Sequence, residues 1–227
     1  MTLERLPEPE LMDDAEQVDA YASADWSEAH DRLMRQIVDF FPAESMTGLF
    51  LNLGCGPGDD TFRFLRDFPQ ARVTAIDGAP LMIERAKKDL QARFPEYRER
   101  VEFRVAYIPS PDIPASEYAG IISNSLLHHF HNPDQFWAAV REHARPGSRI
   151  FIADLRRPTS LQAVDALIDE YAADAPAVLR LDFYNSLRAA FTVEEVEAQL
   201  RRADLANLAV KAVGDRHLIV VGKRSGD

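Results

Sequence analysis

A glycine-rich loop followed by an acidic strand end carries the clearest chemical signal in the sequence. An apolar run over residues 49–53 leads into the loop 54–58, and a second apolar run ends at Asp77. Glycine lets the chain turn sharply and lets a ligand approach the backbone without a Cβ in the way. At adjacent strand ends, a carboxylate can accept hydrogen bonds from both hydroxyls of a ribose. The spacing therefore favours a nucleoside site over the alternatives of a plain strand-to-helix turn and a turn aspartate before Gly78.

The loop also distinguishes between classes of cofactor. Dinucleotide-binding loops read G-x-G-x-x-G, whereas here the third glycine comes one position early and Asp59 stands in its place. Asp59 and Asp60 at the start of the next helix would repel a pyrophosphate. A ligand that carries an ammonium, a sulfonium and a ribose suits this acidic start better.

Three histidines, at positions 128, 129 and 131, follow the fourth predicted strand. A neutral imidazole can accept a proton from an incoming nucleophile near pH 7. We therefore take His129, and after it His128, as candidate general bases or substrate partners. The structural alternative is a core histidine that bonds to the backbone. Because no HExxH or CxxC spacing accompanies the histidines, the sequence predicts no metal site.

Regular alternation of apolar runs with amphipathic helices determines the predicted fold. Strands are predicted at 49–53, 72–76, 101–105, 120–124 and 149–153, with two closing strands at 205–213 and 217–221. Repeated β-α units form parallel sheets covered by helices, and two strands joined by a tight turn pair antiparallel. The prediction is an α/β, doubly wound, mostly parallel seven-stranded sheet with a C-terminal antiparallel hairpin and helices on both faces.

Several of these segments resemble the motifs of class I S-adenosylmethionine-dependent methyltransferases. Residues 51–58 resemble their first motif, and 75–78 followed by Met82 resemble their second. Residues 121–130 resemble their fourth motif, and 145–147 the turn before strand five. The resemblance covers roughly residues 14–221, and it is specific for the superfamily but almost silent on the substrate.

The resemblance implies S-adenosyl-L-methionine as cofactor and assigns residues to it. The implied cofactor-binding residues are Tyr21, Gly54, Cys55, Gly56, Gly58, Asp77, Gly78, Met82, Tyr107, Ile108, Asn124 and Ser125. Asp77 would hold the ribose, and the three loop glycines would line the methionine part. Tyr107 stands where many relatives carry an aspartate for the adenine amine, and Ala119 stands where many carry an acidic residue. Adenine recognition is therefore expected to rest on Tyr107, Ile108 and apolar packing.

The same reading divides the chain into an arm and a domain. Residues 1–45 are predicted to form a helical N-terminal arm that covers the cofactor site, with a loose end at 1–10. Residues 46–227 are predicted to form a Rossmann-like methyltransferase domain with a lid insertion at about 158–191. Arginines near a crevice can clamp a carboxylate or phosphate. The candidate substrate-binding residues are therefore Arg156, Arg180, Tyr184, Asn185 and Arg188, with solvated helix charges as the alternative.

The composition limits the classes of binding partner that we expect. The net charge is −11, from 26 basic and 37 acidic residues, and no lysine run is present, so bulk nucleic acid is not expected. No apolar run reaches the ~18 residues of a membrane span, and the single cysteine, Cys55, fits a reducing cytoplasm. The expected function is methyl transfer by direct in-line displacement to a small-molecule acceptor, with an anionic one as the finer expectation. The alternatives are a non-catalytic S-adenosylmethionine or nucleoside-binding protein, an NAD-linked oxidoreductase, and a methyltransferase acting on a protein or tRNA.

Overall fold

One seven-stranded sheet organises the molecule, in a computed structural model that describes residues 3–115 and 117–226. The strands are β1 (Gly48–Leu53), β2 (Ala71–Asp77), β3 (Val101–Val105), β4 (Tyr118–Asn124), β5 (Ala144–Leu155), β6 (Ala209–Val213) and β7 (His217–Lys223). Their order across the sheet is β3-β2-β1-β4-β5-β7-β6. Strand β7 runs antiparallel to both of its neighbours, so the other six strands point the same way. The predicted doubly wound sheet with a closing hairpin is confirmed.

Eight helices in the described part of the chain cover the sheet. They are α1 (Ala15–Ser23), α2 (Ser27–Phe40), α3 (Asp59–Asp67), α4 (Pro80–Ala92), α5 (Pro133–His143), α6 (Leu161–Tyr171), α7 (Ala177–Ala189) and α8 (Val193–Arg202). Leu33 and Ile37 of α2 and Ile83 of α4 are buried in the core on one face. Trp137 of α5 and Leu200 of α8 are buried in the core on the other face. No helix among the described residues is long and apolar enough to cross a membrane.

The N-terminal arm differs from the prediction. The first helix begins only at Ala15, and residues 3–14 form a non-helical segment that we call the N-terminal strap. The expectation of a loose end is wrong for the described residues 3–10, because the strap is tied to the domain; Met1 and Thr2 lie outside the described residues. The Arg5 side chain donates to the carbonyls of Ala189, His128 and Phe130, and Leu6 N donates to the Arg188 carbonyl at 3.1 Å.

The predicted lid segment contains two helices. Helices α6 and α7 pack on each other through Val164, Ile168 and Leu187, in a small core that also includes Leu155 at the end of β5. Leu3 of the strap packs against the same core. The strap and the lid therefore meet at the carboxyl end of the central strands.

Candidate functional site

The glycine loop adopts a backbone that side chains rarely tolerate. Gly54, Gly56 and Gly58 have φ values of +70°, +50° and +90°. A Cβ at Gly54 would lie 2.7 Å from Leu126 Cδ1, and one at Gly58 would lie 3.0 Å from Phe103. At Gly56, however, no atom lies within 4 Å of the Cβ position. The first and third glycines are therefore needed for internal packing, whereas the bare backbone of Gly56 borders open space.

Asp77 fastens this loop to the end of β2. Its Oδ2 accepts from Gly56 N and its Oδ1 accepts from Ala79 N, each at 2.8 Å. Burial raises the pKa of Asp77, while the two backbone donors act in the opposite direction. Because β1 and β2 pair in parallel, with Leu53 opposite Ile76, the loop and the carboxylate meet as the spacing predicted. The role of Asp77 as ribose acceptor stays a prediction.

A cavity of about 50 Å³ opens beside the loop. Its lining includes Gly54, Asp77, Gly78, Tyr107 and Ile108, which are five of the predicted cofactor residues. His129 lines its inner side, and the strap contributes Glu10 and Leu11. The strap therefore forms one wall of the cavity, although the arm was predicted to cover the site as a helix.

The remaining predicted cofactor residues are not part of the lining of this cavity. Tyr21 stacks on Trp26 with ring centroids 4.9 Å apart, and burial together with the charges of Asp60, Asp59 and Asp77 raises its pKa. Met82 is buried with Val18 and Ala79 beneath the arm.

Cys55, Asn124 and Ser125 belong to the loop and to the end of β4. Burial raises the pKa of the Cys55 thiol, so this cysteine is not a thiolate nucleophile. Ser125, just after Asn124, has a φ of +53°, and its N donates to the Ala153 carbonyl at 2.9 Å. Strained backbone of this kind concentrates at binding sites, because the surrounding structure must hold it in place.

The acidic start of α3 is partly balanced by Arg63 and by a hydrogen bond with His30. His30 Nδ1 lies 2.6 Å and Arg63 Nε 2.8 Å from Asp59 Oδ2. Burial alone would raise the pKa of Asp59, but these hydrogen bonds lower it to about 2. Burial raises the pKa of the neighbouring Asp60 to about 6. Asp59 therefore carries its charge inside an ion-pair network rather than toward a free ligand.

His128 lies between two carboxylates that sequence analysis did not associate with it. Its Nδ1 is 2.5 Å from Asp154 Oδ1, and its Nε2 is 3.3 Å from Glu8 Oε1 of the strap. Burial alone would lower the pKa of His128, but the charges and hydrogen bonds of Asp154 and Glu8 raise it to about 10. His128 is therefore an imidazolium near pH 7. Asp154 was detectable in principle, since it follows Ala153, which pairs with Asn124 across β4 and β5; nothing in the sequence pointed to Glu8.

His129 has the opposite character. Its Nδ1 lies 3.3 Å from the Pro9 carbonyl, and the ring lines the cavity beside Gly54. Burial and the charge of His128 lower the pKa of His129 to about 4. The ring is therefore neutral near pH 7, and the preference for His129 over His128 stays a prediction. His131 lies at the rim, where its Nε2 contacts the Glu8 carbonyl at 2.7 Å.

One ground for expecting no metal was wrong. The sequence offered no recognised ligand spacing, yet the fold brings Glu8, His128 and His129 together with ligand atoms within 4.8 Å of one another. A glutamate and two histidines form a set that Zn²⁺ accepts. The absence of a metal therefore stays a prediction.

The candidate substrate residues divide into two groups. Arg156 donates to the carbonyls of Gly214, Asp215 and His217, so it fastens the β6–β7 turn. Arg180 donates to the carbonyls of Ala172 and Ala173, so it caps the end of α6. These contacts argue against a substrate role for either, because main-chain carbonyls take up their donors.

The second group lies on α7. Arg188 places its guanidinium 5.6 Å from the centre of the Tyr184 ring, and its buried Nε has no hydrogen-bond partner in the described part of the chain. Asn185 lies next to Tyr184 and is half-buried. Tyr184, Asn185 and Arg188 therefore remain candidates for the acceptor site.

Comparison with known proteins is consistent with this geometry. Residues 50–147 match the family model described as a methyltransferase domain. A malonyl-[acyl-carrier protein] O-methyltransferase of Priestia megaterium (strain DSM 319 / IMG 1521) is 33% identical over 118 residues, which are 52% of this chain and 39% of that protein. The chain thus spans well under half the length of this curated relative.

Solved structures share the whole fold at low sequence identity. The plantazolicin methyltransferase BpumL, in complex with a pentazolic desmethylPZN analogue and SAH, aligns with a TM-score of 0.68 at 16% identity, covering 93% of this chain and 92% of that one. The [4+2]-cyclase SpnF aligns with a TM-score of 0.60 at 18% identity, covering 92% of this chain and 66% of that one. Likeness at this identity shows the fold alone.

Proposed function

We propose that the chain is a class I S-adenosylmethionine-dependent methyltransferase, with S-adenosylmethionine as its cofactor, and that it transfers a methyl group to a small-molecule acceptor. The observation that carries the proposal is the 2.8 Å hydrogen bond from Gly56 N to Asp77, which joins the glycine loop to the end of β2. The loop fits this cofactor because a Cβ at Gly56 would enter space that no protein atom fills. A cytoplasmic location belongs to the same proposal.

The cofactor is proposed to lie along the carboxyl ends of β1, β2 and β4. Gly54, Gly56 and Gly58 would line its methionine part, with Cys55, Asn124, Ser125 and Tyr21 nearby. Asp77 and Gly78 would hold the ribose, and Met82, Tyr107 and Ile108 would contact the adenine. The bound cofactor supplies an electrophilic methyl on a sulfonium, so the protein's task is to align the acceptor with the carbon–sulfur bond and to exclude water.

The two histidines are proposed to act on the acceptor in different ways. His129 is neutral and lines the cavity, so it can accept a hydrogen bond or a proton from an acceptor hydroxyl or amine. His128 is held as an imidazolium by Asp154, so it can donate to an anionic group. This division favours an acceptor that carries a negative charge beside its reacting atom.

A cofactor-binding protein that transfers no methyl group is the second candidate. The observation that favours it is the fold's likeness to the [4+2]-cyclase SpnF, whose name describes a reaction other than methyl transfer. Release of S-adenosylhomocysteine during incubation with S-adenosylmethionine and an acceptor would separate the two, since binding without transfer produces none.

Replacement of Asp77 by alanine tests the cofactor site. We expect Asp77→Ala to weaken S-adenosylhomocysteine binding by about 1–3 kcal/mol, because the ribose hydroxyls and Gly56 N lose a buried acceptor. Titration calorimetry measures the loss, and circular dichroism confirms the fold. Asp67→Ala is the matched control, since Asp67 lies at the end of α3 and pairs with Arg66 at the surface. Equal affinities in the two folded variants would remove Asp77 from the site.

A further inference from the structure

The carboxylate of Glu8 occupies a recess built by distant parts of the chain. Only 9% of the residue is exposed, although it belongs to the strap. Ser186 Oγ, on α7, lies 3.0 Å from Glu8 Oε1 and 3.1 Å from Glu8 Oε2. Buried carboxylates need such partners, because an unpaired buried charge is costly. The recess therefore already binds one carboxylate.

Two histidines complete the recess. His128 Nε2 lies 3.3 Å and His129 Nδ1 lies 3.5 Å from Glu8 Oε1. Because Asp154 takes the other ring nitrogen of His128, both nitrogens of that ring face a carboxylate and both carry protons. The recess thus presents hydrogen-bond donors to whatever group enters it.

The recess adjoins the cofactor cavity. Of the residues that form it, only Glu8, which fills it, belongs to the strap. His129 belongs to both spaces, since it contacts Glu8 and lines the cavity next to Gly54. Ser186, His128 and His129 lie on α7 and on the turn after β4, which are packed elements of the domain. Glu8 lies on a segment without secondary structure. Another carboxylate could therefore replace it without rebuilding the wall.

We propose that the recess formed by Ser186, His128 and His129 anchors a carboxylate of the methyl acceptor, and that Glu8 fills it until the acceptor displaces it. The inference rests on the proposed methyltransferase function and names the substrate class, a carboxylic acid. The anchored carboxylate is not the methylated group, because hydrogen bonds from an imidazolium and a hydroxyl engage its lone pairs. The acceptor therefore carries its nucleophilic atom elsewhere, on the side that faces the cavity.

A metal ion at the same residues is the competing assignment. Glu8, His128 and His129 could each supply one ligand atom. A histidine binds a metal through an unprotonated nitrogen, whereas His128 uses both nitrogens as donors to Asp154 and Glu8. The geometry is therefore that of a filled carboxylate site.

Glu8→Ala tests the proposal, with malonate as the probe and the neutral malonamide as its isosteric control. Titration calorimetry in saturating S-adenosylhomocysteine should show malonate binding to Glu8→Ala about tenfold or more tighter than to the wild type, because the internal competitor is gone. Malonamide should gain nothing. A second substitution, Ser186→Ala, should remove most of the gain. Glu4→Ala removes an exposed carboxylate from the same strap and should leave malonate binding at the wild-type level.

Several outcomes would overturn the proposal. These are equal malonate affinity in Glu8→Ala and the wild type, equal gains for malonate and malonamide, or stoichiometric Zn²⁺ in the wild type that is lost in Glu8→Ala. S-adenosylhomocysteine affinity is measured in the wild type and in the same variants. A wild type that does not bind S-adenosylhomocysteine would contradict the proposed function rather than this proposal. If Glu8→Ala does not fold, Glu8→Gln removes the charge while keeping the side chain's shape; a smaller malonate gain is then expected, because the amide still fills the recess, and no gain at all would overturn the proposal.

Discussion

Replacement of Gly56 by valine is expected to abolish cofactor binding while the fold survives. Gly56 has a φ of +50°, and no atom lies within 4 Å of its Cβ position, so the new side chain meets no protein atom. It would instead enter the space proposed for the methionine part of the cofactor. We expect at least about 3 kcal/mol of lost binding free energy, or roughly 100-fold in affinity, measured by calorimetry with S-adenosylhomocysteine.

Gly147 offers a matched control for backbone strain. It has a φ of +85° and, like Gly56, no atom within 4 Å of its Cβ position, but it lies in β5 away from the loop. Gly147→Val therefore introduces a comparable strain, of about 1–2 kcal/mol in unfolding free energy, without touching the proposed site. If Gly56→Val binds the cofactor as well as Gly147→Val does, the loop is only a structural turn.

Asp154→Asn, which removes a buried charge, is expected to cause a large loss in the free energy of unfolding. Asp154 accepts from His128 Nδ1, His128 N and Leu155 N, and only 2% of it is exposed. Breaking a buried ion pair by removing one partner costs about 3–5 kcal/mol, because the other partner stays buried without its counter-charge. Urea unfolding at pH 6 measures the cost in unfolding free energy.

The stability difference between the wild type and Asp154→Asn is expected to depend on pH. The folded pKa of His128 is raised to about 10, so its contribution to stability is fully present below the ordinary value of about 6.5 and is lost as the pH rises through about 10. The difference between the wild type and Asp154→Asn should therefore shrink between pH 7 and pH 10. Asp204→Asn, which removes an exposed partner of Arg141, should have no measurable effect at either pH. A pH-independent difference would contradict the assignment of His128 as an imidazolium.

The fold was predictable because its signals are local. Buried parallel strands appear in the sequence as short apolar runs, separated by amphipathic helices. Because strand–helix–strand connections are right-handed, few arrangements of such a doubly wound sheet are possible. The meeting of Gly56 with Asp77 followed from the same logic, since adjacent parallel strands end at one edge. The bounds of β5 were less predictable, because it starts at Ala144, five residues before the predicted apolar run.

The acceptor side of the site was not predictable, because its contacts join distant parts of the chain. Glu8 lies 178 residues from Ser186, and the acidic, proline-containing start of the chain resembles a solvated tail in composition alone. Two of the candidate arginines, Arg156 and Arg180, were misleading signals for a related reason. An arginine near a crevice satisfies main-chain carbonyls as readily as a ligand, and Arg156 and Arg180 do so in this fold.

Native mass spectrometry of the purified chain with S-adenosylmethionine tests the central claim most directly. The account predicts one molecule of S-adenosylmethionine, or of its demethylated product, on each wild-type and Gly147→Val chain, and none on Gly56→Val. Conversion of the bound cofactor to the product form, when a carboxylic acid acceptor is added, would show methyl transfer. A wild-type chain that binds neither form, at concentrations where it remains folded, would contradict the account.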